Sequence, residues 1–380
     1  MTLSAPSPRA AAGPPALHFP SLDGLRALSF LLVFAAHSGL EGHVPGGFGV
    51  TVFFFLSGYL ITTLLRLEGE AHGTIRLGAF YLRRVLRILP PFYFVLALAA
   101  LAAMFGVIPG GVGASALAAE ALHVANYWIV RHGYEGLPAG TGVYWSLAVE
   151  EHFYLVFPCL YLLLLRFVKG NERRAAVLVG LAGVVLVWRC VLVYGLHSAE
   201  DRTYVATDTR VDSILFGCAL ALAGNPVLDA RSVFSERAWK WLLLPAGLLL
   251  LGFTFIYRDA AFRESLRYSL QGLALVPVFV VALRFPSWAP VRLLNGRALV
   301  FLGVLSYPLY LVHHVVLVAV EPLAVGLRVP LAFGISFALA WAIHELIEKP
   351  SLRLRKRLAA ATERARPLAA PVALVEVSGR

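Results

Sequence analysis

Apolar residues run along this chain in stretches of helical length, separated by short polar segments. Ten such runs stand out, at about 22–40, 49–66, 88–108, 143–165, 175–196, 209–223, 240–257, 266–284, 299–320 and 330–347. A helix needs roughly 20 mainly apolar residues to cross the hydrocarbon core of a bilayer, and most of these runs supply them. The run at 209–223 is the weakest, because it is short and opens with Arg210 and Asp212. The longest segment between runs, about 109–142, leaves no room for a separate soluble domain. The pattern predicts an all-α fold, a polytopic membrane helix bundle of about ten transmembrane helices. Residues 1–20 read as a Pro- and Ala-rich disordered tail, 21–350 as the membrane domain, and 351–380 as a second, basic tail.

Composition agrees with a membrane protein. Of the 380 residues, 59% are hydrophobic and only 14% charged, with a mean hydropathy of +0.75. A soluble domain of this size would carry more charge. The first twenty residues lack the apolar core of a cleavable signal peptide. Cys159, Cys190 and Cys218 all lie in apolar stretches with no C-x-x-C spacing, so neither a disulfide framework nor a zinc site is expected.

The net charge of +11 would suit a polyanionic partner, but its placement gives another explanation. With a cytoplasmic N-terminus, the inside segments hold 24 Lys and Arg residues and the outside loops 5. Positive residues collect on the cytoplasmic side, so both termini are expected there, in a multi-pass protein of the inner (cell) membrane. The run Arg353, Arg355, Lys356 and Arg357 then reads as a topology signal in contact with anionic lipid, and no nucleic-acid role is needed.

This orientation gives each polar residue within a span a depth. Arg26 and His37 lie eleven positions apart on the first run, which brings them to nearly the same helix face, about 16 Å apart along the axis. Arg26, Arg83, Arg84 and Arg87 fall at the inner end, while His37, Glu150 and His313 fall in one outer-half layer within about 5 Å of depth. Asp212 lies near the outer end of its span, and Glu151 adjoins Glu150 as a rim or lumen carboxylate. Ionisable groups at such depths are costly and point to function. A cationic inner mouth suits a phosphate-bearing ligand, because arginine binds phosphate in a two-pronged fork. A histidine beside a carboxylate suits general-base chemistry on a hydroxyl.

Ser306, Tyr310 and His313 recur at four and three and share a helix face, with Tyr307 and His314 off it. Ser57-Gly58 would let another helix or a ligand approach closely. Anchoring by the arginines and inter-helix packing by the polar stripe remain competing readings. The segment His344-Glu345-Leu346-Ile347-Glu348 begins like H-E-x-x-H but lacks the second histidine, so it is no zinc-protease motif.

Five segments in order resemble the bacterial integral-membrane acyltransferases called acyltransferase 3, over about Leu22 to Pro350. Leu22-Asp23-Gly24-Leu25-Arg26-Ala27 followed by His37, with ten residues between arginine and histidine, is similar to the family's opening signature. Gly49 to Leu60, Arg83-Arg84-Val85-Leu86-Arg87, Trp145-Ser146-Leu147-Ala148-Val149-Glu150 and Ser306-Tyr307-Pro308-Leu309-Tyr310-Leu311-Val312-His313 resemble its later motifs.

The resemblance implies transfer of an acyl group, usually acetyl from acetyl-CoA, to a hydroxyl of an extracytoplasmic or membrane-linked glycan. Acylation of a small secreted metabolite such as a macrolide is the alternative within the family. Acyl-CoA would be a donor substrate, with no permanently bound cofactor and no metal. Partner glycan-assembly enzymes would fit beside it, and the stand-alone form without an SGNH-type domain is expected. On this reading His37 is the catalytic base and Glu150 its orienting carboxylate, and Arg26, Arg84 and Arg87 hold the donor. Asp212, Tyr310, His313, Ser57 and Trp145 form a second rank. A proton-coupled transporter or flippase of an anionic or glycan substrate is the rival from another class, with the same residues serving as a proton relay and anion site.

Overall fold

The computed structural model of the chain describes residues 19–40 and 42–364. The described residues form helices joined by turns, with no strand among them. In chain order the main helices are α1 (Pro20–Ala35), α2 (Gly46–His72), α3 (Leu77–Met104), α4 (Ala114–Ala121) and α5 (Ala125–His132). They continue with α6 (Trp145–Phe167), α7 (Asn171–Cys190), α8 (Thr207–Leu222), α9 (Leu244–Ile256) and α10 (Arg267–Arg284). The last four are α11 (Arg297–Val304), α12 (Ser306–Ala319), α13 (Val325–Ile343) and α14 (Lys349–Arg364).

Among the described residues, seven helical segments are long and apolar enough to cross a membrane, or eight when α11 and α12, bent by 73°, are taken as one. The protein is thus a polytopic helical membrane protein. The two further spans expected from sequence correspond to α1 and α8, each of 16 residues. At 1.5 Å per residue that is about 24 Å, short of the ~30 Å hydrocarbon core. Both are nevertheless central. α1 packs on α2, α11 and α12, and α8 packs on α2, α7 and α10.

Burial separates inner helices from outer ones. The most apolar window of α2 is 72% buried, whereas that of the segment containing α7 is 22% buried. The outward apolar side chains of α7, such as Val184 and Val187, have the character of lipid contacts. Close approach of α2 and α8 depends on missing side chains. A Cβ on Gly58 would lie 2.0 Å from the Ile214 carbonyl oxygen, and one on Gly217 would lie 2.0 Å from that of Phe55. Ser57-Gly58 therefore marks a helix crossing.

Two departures from the sequence reading affect the site. The segment 109–142 contains α4 and α5, whose Ala116, Glu120, Asn126 and Ile129 are buried. Residues 351–364 continue as α14, which packs on α3 and is a helix where a basic tail was expected. The remainder of the two expected tails, 1–18 and 365–380, lies outside the described residues.

Candidate active site

The motif residues gather around two cavities at opposite ends of α1. The first, of about 440 Å³, is lined by Arg26, Arg84, Arg87 and Arg355 together with Ser57 and Glu150. The second, of about 880 Å³, is lined by His37, His314, Trp145, Tyr204 and Tyr134 among others. Tyr310 and Val50 line both, so they form the wall between the two cavities.

In the first cavity Arg26 is paired with Asp23 one turn earlier on α1 at 3.0 Å, while Arg83 turns away to Glu68 at 2.8 Å. Arg84 lies over the Tyr154 ring, 5.1 Å from its centre, and makes no ion pair among the described residues, nor does Arg87. Arg355 joins them because α14 folds back along α3. A phosphate-bearing ligand would find cationic groups there that are not already neutralised.

Glu150 sits on the same cavity. Its Oε1 accepts from Ser57 Oγ at 2.8 Å, and its Oε2 accepts from the Tyr154 hydroxyl at 3.1 Å. Its expected contact with His37 is not formed. The two were expected in one layer, but α6 points Glu150 into the arginine cavity while α1 carries His37 to the other one. Glu151 also lines the arginine cavity, as a lumen carboxylate.

The histidine end follows from how α1 terminates. Ala36–Leu40 forms a wider π-turn in which Gly39 adopts φ 101°, and this turn presents His37 to the second cavity. His37 Nδ1 lies 3.0 Å from His313 Nε2, and its ring stacks on His314 at 4.5 Å. His313 is fully buried against Phe30 and Phe34, with its Nδ1 2.8 Å from the Tyr310 carbonyl oxygen. A carbonyl can only accept, so Nδ1 carries the hydrogen and Nε2 of neutral His313 is an acceptor. His37 Nδ1 must then donate to it, which leaves the lone pair on His37 Nε2. His37 is held by His313, and among the described residues no carboxylate is bonded to it.

Trp145 and Tyr204 pack with ring centres 4.9 Å apart and planes tilted by 52°, and form an aromatic wall of the second cavity. Behind them the buried Arg210 lies 4.0 Å from the Tyr268 ring centre and 5.4 Å from that of Trp145, and it donates to the Tyr204 carbonyl at 2.9 Å. Tyr310 bonds Ser146 at 2.7 Å.

Asp212 lines neither cavity. Both its oxygens accept from Arg189, at 3.0 and 2.9 Å, with both side chains wholly buried, and Ser269 adds a third bond at 2.6 Å. This network ties α7, α8 and α10 together and keeps Asp212 away from both cavities.

His314, Tyr154, Arg355 and Tyr204 reach the cavities although the sequence reading assigned none of them to the site, giving Arg355 only a topology and lipid-contact role. Tyr154, one turn after Glu150, could have been found from its spacing. His314 was set off the polar face of α12, yet the neighbouring π-turn brings His37 onto it. Among the described residues no group of three or more His, Cys, Asp or Glu side chains is arranged to hold a metal ion. His344 bonds Glu348 at 2.5 Å, within the first cavity.

The bundle thus carries a cationic cavity and an imidazole cavity that meet at a tyrosine, within a helical membrane protein. The chain belongs to the acyltransferase 3 family, whose acyltransferase domain matches residues 19–345. It is 30% identical to the peptidoglycan O-acetyltransferase OatA of Listeria monocytogenes over 318 residues, 80% of this chain and 50% of that protein. It is 29% identical over 351 residues to YrhL of Bacillus subtilis, named as a candidate peptidoglycan O-acetyltransferase, covering 88% of this chain and 55% of that one. The chain thus spans about half the length of these relatives. No solved structure matches it.

Proposed function

We propose that the protein moves an acetyl group from acetyl-CoA on the cytoplasmic side to a hydroxyl of a peptidoglycan-like glycan on the other side. The carrying observation is the pair of cavities divided by Tyr310, one with arginines free of ion pairs and the other with the available His37 Nε2. Arg84, Arg87 and Arg355 would hold the phosphates of CoA, with Arg26 and Asp23 beside them. The thioester would point along the cavity towards Ser57 and Tyr310.

In the second cavity the acceptor sugar would stack against the Trp145–Tyr204 wall. His37 Nε2 would take the proton of its hydroxyl as the acyl carbon is attacked. The imidazolium so formed keeps its Nδ1–H bond to His313, so the ring does not need to turn during the reaction. The peptidoglycan acceptor is supported by the names of the relatives, and the two-cavity arrangement alone would equally serve other hydroxylated acceptors.

The test uses purified protein in detergent, radiolabelled acetyl-CoA and soluble glycan fragments as acceptors. Transfer is expected without any ion gradient, which separates this reading from that of a coupled transporter. Arg84→Ala should weaken acetyl-CoA binding by about 1.5–3 kcal/mol, the usual size of a lost charged contact. CoA should compete with the donor, and dephospho-CoA less well. Wild-type donor affinity in Arg84→Ala, Arg87→Ala and Arg355→Ala would reduce these residues to topology anchors.

A further inference from the structure

The proposed chemistry uses one base, His37, yet the arginine cavity contains a second complete arrangement for activating a hydroxyl. Ser57 Oγ donates to Glu150 Oε1 at 2.8 Å. The Tyr154 hydroxyl stands 3.0 Å from the same Oγ and 3.1 Å from Glu150 Oε2, so it closes a triangle around the serine. All three line the cavity, and the Arg84 guanidinium lies over the Tyr154 ring at 5.1 Å.

A serine hydroxyl bonded to a carboxylate within hydrogen-bond reach, with further donors beside it, is the form of an activated nucleophile. The location adds to this. Ser57 and Glu150 line only the arginine cavity, and His37 lines only the other. Two bases in separate cavities suit two half-reactions better than one direct transfer.

We propose that Ser57 is the first acyl carrier, forming an acyl-serine in the arginine cavity with Glu150 as its base. The inference rests on the acyltransferase reading above. In the step, Ser57 Oγ attacks the thioester carbonyl and its proton passes to Glu150. The new Oγ–C bond forms and the C–S bond breaks, and Glu150 returns the proton to the departing sulfur, which releases free CoA. Tyr154, whose hydroxyl stands 3.0 Å from Ser57 Oγ, and Arg84, over the Tyr154 ring, would stabilise the oxygen that becomes negative during the attack. An acceptor hydroxyl later displaces the serine, with its proton ending on Ser57 Oγ. No other reactant is needed.

The experiment incubates the purified full chain with radiolabelled acetyl-CoA and no acceptor, quenches it rapidly in denaturant, and maps the label by mass spectrometry. The expected result is one acetyl group on the peptide containing Ser57, removed when acceptor is added before the quench. Ser57→Ala should lose the label and the transfer activity while still binding acetyl-CoA, which shows that it remains folded. Ser57→Cys should carry the acyl group as a thioester that neutral hydroxylamine cleaves. Glu150→Gln should slow labelling by about 10²-fold or more, as loss of a general base does.

Label on another residue, an active Ser57→Ala enzyme, or a wild type that transfers acetyl without ever being labelled would each overturn the acyl-serine and leave the acyltransferase reading standing. A wild type that neither labels itself nor transfers acetyl to any glycan would overturn the acyltransferase reading and the acyl-serine with it.

Discussion

His37 owes its position to three local facts: a π-turn, a glycine with positive φ, and a neighbouring histidine whose own tautomer is fixed by a backbone carbonyl. His37→Ala should lower acetyl transfer by about 10²–10⁴-fold, the range for a lost general base, with donor binding unchanged. His313→Ala should cost about 10²-fold by freeing the imidazole to turn, and the double variant should be little worse than His37→Ala alone. A double-mutant cycle on transfer rate in purified protein measures this. Full additivity would mean that the two imidazoles do not act as a unit. A separate residue-scale expectation concerns Arg189 and Asp212. Arg189→Ala leaves a buried carboxylate without its partner and should destabilise the fold by roughly 3–5 kcal/mol, read as a lowered melting temperature in detergent. Replacing both, as Arg189→Met with Asp212→Leu, should restore much of that loss, because an apolar pair of similar volume avoids burying charge. Sequence placed Arg26, Arg84 and Arg87 at one end of the bundle and His37 at the other, where the two cavities have them, but it put Glu150 beside His37, counted Asp212 in and passed over Tyr154 and Tyr204. The partners were hidden, since depth along a span says nothing about azimuth. Glu150 and His37 were expected at one depth but face different cavities, and Asp212 met Arg189, from a helix whose polar residue drew no attention.

At the scale of elements, the apolar runs located nearly every long helix, because periodicity and length suffice where a helix must satisfy its own backbone in lipid. They could not foresee α14 as a helix, because a basic run of this kind has no apolar stripe of spanning length, nor α4 and α5 within 109–142. The contact of α2 with α8 was visible only as a small-residue signal at Ser57-Gly58. Its importance lies in the reciprocal fit of Gly58 and Gly217 against the facing carbonyls. Gly217→Ala should force the helices apart and cost about 1–3 kcal/mol of overpacking strain. Because α2 also carries Ser57, the same change should reduce activity at temperatures where the protein is still folded. Thermal unfolding and transfer assays on the same preparation check both. An unchanged melting temperature would mean that the helices have room to relax.

For the whole molecule, the arginine cavity constrains how often the chain crosses the membrane, the two short helices included. Arg26, near the start of α1, Arg84, near the start of α3, and Arg355, on α14, share one cavity and so one side of the bundle. The chain must then cross an even number of times between each pair. Between Arg26 and Arg84 lie α1 and α2, so if α2 crosses, α1 must cross too. Between Arg84 and Arg355 lie α3, α6, α7, the segment ending in α9, α10, the bent α11–α12 pair and α13, which is seven crossings without α8. Only by including α8 does the number become even. The ten apolar runs, with 24 Lys and Arg residues assigned to one side and 5 to the other, lead to the same expectation of ten crossings. Reporter fusions after Leu196 and Gly224 should therefore report opposite sides, outside and cytoplasmic respectively. Fusions after Gly170 and Lys349 should report cytoplasm, and one after Gly136 the outside. If Leu196 and Gly224 report the same side, α8 does not cross. Every helix after it would then be inverted, and Arg355 could not share a membrane face with Arg84 unless the bent α11–α12 pair also fails to cross.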